Sequence, residues 1–169
     1  MSSSKVIRAP ALALAAVALL LAGCQVRPLY ETPAPVAGRL AAIEISEAGD
    51  RVEQAVRNAL IFALAGGAGE PANPEYRLAL TVSTRTMNVL YDRKSDRAAA
   101  GRITVKADFN LTRVSDGRTV VSGSRSSVAL VDFPVQEFSK LRAIRDGENR
   151  AAREVAEIIR ADVASALAR

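Results

Sequence analysis

Cys24 is the one thiol in a chain of 169 residues that contains no histidine and no tryptophan. A single cysteine closes no disulfide within the chain. Without imidazole, neither a Ser-His-Asp triad, nor a Cys-His dyad, nor a His-bearing zinc or haem site can be assembled. Acid–base work would fall to carboxylates, to Tyr91 or to serine. The nearest carboxylate pair, Asp92 and Asp96, sits in a polar run with Arg93, Lys94 and Arg97, which is the pattern of solvated surface charge rather than of a paired acid and base. The same two aspartates lack the glycine and the further oxygen ligands of a calcium loop. These residue types point to a chain that is not an enzyme.

The position of Cys24 is more informative than its thiol. Lys5 and Arg8 precede an apolar run, Ala11–Ala22, that exits through small residues, the three parts of a secretory signal. The run of 12 residues falls short of the about 20 that a spanning helix needs, so residues 1–23 read as a cleaved signal peptide. Leu21-Ala22-Gly23-Cys24 resembles the lipobox of bacterial lipoproteins, in which the cysteine is acylated and becomes the first residue of the mature chain. The resemblance implies N-acyl and S-diacylglycerol chains, of the palmitate kind, on Cys24 and no other cofactor. Each buried CH₂ adds about 0.8 kcal/mol, and two or more chains hold a protein stably on a bilayer. Lipoproteins with Asp after the cysteine tend to stay in the inner membrane; Gln25 favours the outer membrane, on its periplasmic side. Cleavage removes Lys5 and Arg8 and no acid, lowering the formal charge from +5 to +3. The remaining arginines interleave with acids as on a solvated surface. The sharper alternative is contact with phosphate-rich headgroups, which the planar guanidinium binds bidentately. Nucleic acid is not an expected partner of a secreted chain.

The rest of the chain is long enough for an ordinary core. Residues 24–38 hold Pro28, Pro33 and Pro35 among small residues and read as a tether, leaving 39–169 as a single domain. Alternation around Ile43 and Ile45 predicts a short strand over Leu40–Ser46. Asp50 as N-cap, Glu53 three residues on, and apolar Val52, Ala55, Val56, Ala59, Leu60 and Ala63 predict a helix from Asp50 to about Ala65, stopped by Gly66-Gly67. Tyr76, Leu78, Leu80 and Val82 alternate with polar residues, as do Ile103, Val105, Ala107, Phe109 and Leu111. Ser115-Asp116-Gly117 is hairpin chemistry, and Thr119–Val131 supplies a fourth strand. After Pro134 a helical pattern returns from about Ser139, with Leu141 and Ile144, then Ala152, Val155, Ile158, Ile159, Val163, Ala166 and Leu167; Gly147 is expected to break it. Arg153, Glu154, Glu157 and Arg160 are spaced for pairs along its polar face. The order βαβββα predicts an α+β two-layer sandwich, two helices on one face of a four-stranded, mostly antiparallel sheet. Its far face carries Arg77, Arg85, Arg102, Lys106 and Asp108.

Four stretches together carry a family resemblance: Gly23-Cys24-Gln25-Val26-Arg27-Pro28-Leu29-Tyr30, Ala98-Ala99-Ala100-Gly101-Arg102-Ile103, Asp116-Gly117-Arg118 followed by Gly123, and Glu148-Asn149-Arg150-Ala151-Ala152-Arg153-Glu154-Val155-Ala156. The chain resembles the LptE family of LPS-assembly lipoproteins, in its alphaproteobacterial form, over essentially its whole length. It departs at Gly101, where the family passage reads closer to Ala-Thr-Arg. The resemblance implies a non-enzymatic subunit of the outer-membrane lipopolysaccharide translocon, a plug and assembly partner of the LptD β-barrel, whose polar lumen would suit a polar sheet face. It also implies contact with lipopolysaccharide through basic residues near one end of the domain. The candidates here, on charge and location, are Arg93, Lys94 and Arg97 between the two longest strands, with Arg85 and Arg102 on the flanking strands. The competing expectation is another envelope-complex lipoprotein, such as a secretin pilot or an auxiliary subunit of a lipid transporter.

Overall fold

The computed structural model describes residues 35–93 and 97–169; the signal, Cys24, Lys94 and Asp96 lie outside them. The elements are α1 (Pro35–Ala41), β1 (Ile43–Ile45), α2 (Arg51–Ala65), β2 (Tyr76–Asp92), β3 (Arg97–Arg113), β4 (Thr119–Asp132) and α3 (Glu137–Leu167). The sheet order is β1-β2-β3-β4, with β1 parallel to β2 and the other pairs antiparallel. This is the expected α+β sandwich with one more short helix. In α1, which occupies the last residues read as tether, Pro35 stands at the first helical position, where its missing N–H costs nothing. The helix is held by Leu40, buried in the core, and by Val36 packed against it. The strand anticipated over Leu40–Ser46 contracts to Ile43–Ile45.

Alternation sets the two faces of the sheet. Ile103, Val105, Ala107, Phe109 and Leu111 are all buried and meet Leu78, Leu80 and Tyr76 on the same side. Val52, Val56, Leu60 and Leu64 of α2 lie against them, as do Ala151, Ala152, Val155, Ala156, Ile159, Val163 and Leu167 of α3. Asp50 Oδ1 accepts from the amides of Val52 and Glu53 at 2.8 Å, capping α2. At its other end Gly66 takes the left-handed conformation, φ 59°, which a residue without Cβ adopts at no steric cost. Arg51 ties the start of α2 to α3 through Asn149 (2.9 Å) and Glu148.

α3 differs from its expected form. It begins at Glu137 and runs unbroken for 31 residues through Gly147. The glycine is there for close approach rather than for a break. A Cβ on it would sit 2.7 Å from both Ile103 Cδ1 and Val131 Cγ1, so the helix axis comes onto the sheet where only hydrogen fits. Leu141 is not part of the buried stripe, being 48% exposed, whereas Ile144 packs against Ile103, Val131 and Phe133. Along the polar face, Arg160 does pair with Glu157 at 2.9 Å, whereas Glu154 instead accepts from Ser127 Oγ at 2.6 Å. That bond accounts for the one buried polar residue among the described ones.

The strands outrun the alternation that signals them. β2 extends to Asp92 and β3 starts at Arg97, with register shifts between Asn88 and Tyr91. Bulges of this kind shift a strand's side chains out of strict alternation. From Ser83 to Tyr91 both faces of β2 are exposed.

Candidate functional site

The β2–β3 turn and the first turns of α3 share one end of the domain, and a packing chain explains why. β4 ends at Asp132, and the amide of Phe133 donates to Ala99 O at 2.8 Å. This holds the residue after the strand against β3. The Phe133 ring then lies directly over Gly101, where a Cβ would overlap it, and packs with Ile103, Val131, Ala98 and Ile144 as a small second core. Pro134 has no donor with which to continue the ladder, so the chain leaves the sheet and α3 begins three residues later, at Glu137. One turn into α3, Lys140 places Nζ 5.2 Å from the centroid of the Phe133 ring, within reach of a cation–π attraction.

A groove of about 380 Å³ opens there, lined by Asn88, Tyr91, Arg97, Ala98, Phe133, Val135, Glu137 and Lys140 among others. Asn88 Nδ2 donates to Tyr91 Oη at 3.2 Å across its floor. Two cations, Arg97 and Lys140, and one acid, Glu137, line it. The acid occupies the first turn of α3, where the helix dipole favours it. The same end of the domain exposes large apolar side chains: Phe138 is 85% exposed and Val135 80%, and Leu90, Tyr91 and Leu141 are about half exposed. Exposed apolar groups gathered beside cations mark a surface suited to an amphiphile with anionic headgroups.

The five basic candidates do not fall into one cluster. Arg93, in the turn after β2, and Arg97, the first residue of β3, are both exposed at this end. Arg97 opposes Asp92 in the ladder. Lys94 lies outside the described residues. Arg85 and Arg102 belong to the sheet's outer face instead, Arg85 opposite Thr104 and Arg102 opposite Met87 and Leu130. Five residues of strand separate Arg102 from Arg97, about 16 Å at the usual rise. On that face the hydrogen bond from Lys106 and then that from Ser124 hold the Asp108 carboxyl below its ordinary value. The outer face is graded: serines, Lys106, Asp108 and Asn110 at one end give way to exposed Met87, Val128 and Leu130 nearer the turn.

Sequence reasoning missed Lys140 and Phe133. Their local signal is a Phe-Pro pair followed by a lysine early in a helix, but only the β3–β4 register brings them to Arg97.

The comparisons with known proteins agree with this architecture. A family model described as LptE, lipopolysaccharide-assembly, matches residues 40–163. Among solved structures, a chain from Caulobacter crescentus CB15 described as a candidate lipoprotein is 28% identical, with a TM-score of 0.64 covering 79% of this chain and 96% of that one. The rare lipoprotein B of Shewanella oneidensis shares the fold at 14% identity and a TM-score of 0.53, covering 75% and 94%. A minor lipoprotein of Acinetobacter baumannii does so at 10% and 0.55, covering 73% and 88%. No curated protein sequence matches.

Proposed function

The chain belongs to the LptE family of lipopolysaccharide-assembly proteins, and from that membership we propose that it is a non-enzymatic, outer-membrane lipoprotein subunit of the lipopolysaccharide translocon. In this reading Cys24 carries the acyl anchor, Gln25 directs the mature chain to the outer membrane, and the domain seats in an LptD-type β-barrel as plug and assembly partner. The lipid replaces any need for a spanning helix. No helix among the described residues is long and apolar enough to cross a membrane.

The observation that carries contact with lipopolysaccharide is the groove lined by Arg97, Lys140 and Val135, with exposed Phe138 following Glu137 on α3. A lipopolysaccharide offers phosphate groups beside acyl chains. Guanidinium and ammonium groups form charge-assisted hydrogen bonds to the phosphates, and the apolar rim lowers the cost of exposing the chains to water. The site binds and positions; nothing in it transfers a group. Arg93 adds a further exposed cation at the same end, and Arg85 and Arg102 belong to a second, outer surface.

The test is binding of lipopolysaccharide to the purified chain with Arg97 and Lys140 both replaced by Ser. Wild-type binding with at least a ten-fold loss in the double variant supports the reading; equal binding by both contradicts it.

A further inference from the structure

The edge of the sheet on the β1 side is protected in an unequal way. β1 covers only Tyr76, Arg77 and Leu78 of β2. Past it, the next outward-facing groups of β2 are capped one by one. Ser46 N donates to Leu78 O at 3.0 Å, Leu80 N donates to Ser46 Oγ at 3.0 Å, and Val82 N donates to Glu53 Oε1 at 3.2 Å. The outer edge of β1 is treated likewise, Ile45 N donating to Glu70 Oε1 at 3.2 Å. These bonds fix the parity, with even-numbered residues of β2 turning their N–H and C=O away from β3. Among the described residues the capping stops at Val82. Thr84, Thr86 and Asn88 present outward backbone groups with no described strand beside them, and both faces around them are exposed.

The opposite edge carries side-chain guards at two of its carbonyls, of which Leu130 lies level with the bare stretch. By the same parity the even residues of β4 face outward, and Arg125 Nη1 donates to Ser124 O at 2.9 Å while Arg150 Nη2 donates to Leu130 O at 3.2 Å. Side chains occupying edge carbonyls are a way of refusing a further strand. The bare stretch Ser83–Asn88 has the length of an ordinary strand, and the bulge after Asn88 ends it.

We propose that the open edge of β2 over Ser83–Asn88 accepts an extended segment of the barrel partner as an added strand, with an acidic side chain lying beside Arg85. This rests on the reading above for the partner's identity. Charge selects the occupant: Arg85 and Arg102 stand on the outer face at diagonal positions of the β2–β3 ladder, and neither makes an ion pair with a described side chain. On the inner face Thr84, Thr86 and Asn88 offer hydroxyl and amide groups, so the added strand alternates an acid outward with polar residues inward. Main-chain bonds give such a strand its affinity and the alternate side chains its specificity.

The substitution Thr86→Pro isolates the backbone contribution. It removes an outward N–H that β3 does not use, and proline is tolerated on an edge strand whose N–H faces solvent. With the full-length chain expressed beside its barrel, T86P recovers at least ten-fold less barrel in a mild-detergent pull-down, while T86S, which keeps both the hydroxyl and the N–H, recovers the wild-type amount. Equal recovery by T86P and wild type overturns the proposal, as does equal loss by T86S. Should T86P fail to fold, amide exchange of the unmodified complex decides. Slowing of Thr84 and Thr86 by at least ten-fold relative to the chain alone, with Ser126 on the β4 edge unchanged, supports an added strand. Unchanged exchange at Thr84 and Thr86 overturns it, and so does a photocrosslink from position 84 to a second copy of the chain. Absence of any barrel with the wild-type chain removes the proposed function and this occupant together; recovery by wild type and T86P alike removes the edge alone.

Discussion

Gly101 on β3 and Phe133 after β4 fit together as floor and cover: the aromatic ring occupies the space that any Cβ at position 101 would take. This contact fixes where the chain leaves the sheet, where α3 begins, and therefore where Lys140 stands relative to Arg97. A substitution on β3 thus reaches the groove through one ring.

Gly101→Ala forces that ring to move. The expected destabilisation is about 1–3 kcal/mol, the usual cost of overpacking a filled site, read by denaturant unfolding. Weaker lipopolysaccharide binding accompanies it because Lys140 loses the face it rests on. Unchanged stability would mean that the ring is not held against β3.

Gly147→Ala separates local preference from packing. In an exposed helix interior the change would stabilise by about 1 kcal/mol. Here the new methyl meets Ile103 and Val131 at 2.7 Å, and a net loss of about 1–3 kcal/mol is expected instead. A gain in stability would show that α3 does not approach the sheet so closely.

Asp50→Ala leaves the amides of Val52 and Glu53 without their shared acceptor. The loss expected is about 1 kcal/mol, with lipopolysaccharide binding unaffected because α2 contributes nothing to the groove. A binding defect equal to that of the groove variants would contradict this separation.

The Arg97→Ser, Lys140→Ser double variant keeps the fold, since both side chains are on the surface of the groove. Hydrogen bonds to charged groups contribute about 1.5–3 kcal/mol each, so binding of lipopolysaccharide falls ten-fold or more. The residual wild-type advantage shrinks in high salt as the charges are screened. Insensitivity to salt would argue against phosphate recognition at these positions.

Cys24→Ala removes the acyl acceptor. The chain is expected in the soluble periplasmic fraction after osmotic shock, and a fully membrane-bound variant without lipid would contradict the anchor.

The sandwich was legible because its core faces are periodic: period two from Arg102 to Thr112 and in Tyr76–Val82, helical spacing in Val52–Leu64 and Ala151–Leu167. The turn at Asp116-Gly117 was legible for the same local reason, with Gly117 at φ 67°. What escaped depends on contacts distant in sequence. α1 is too short to announce itself and is held by Val36 and Leu40 on the core. Gly147 carries the same letter whether it breaks a helix or lets one approach a sheet, and only Ile103 and Val131 decide. The basic candidates rest on charge in one loop and its flanking strands, whereas Arg97 shares its groove with Lys140, 43 residues on in sequence, through a ladder register that composition does not encode.

The partner decides the proposed role. Full-length chain, tagged and expressed at native level, is extracted from membranes in mild detergent, and the proteins recovered with it are identified by mass spectrometry. A large outer-membrane β-barrel is expected in stoichiometric amount. Recovery of a secretin or a transport ATPase complex with no such barrel would contradict it, leaving the fold and the family in place without the proposed role.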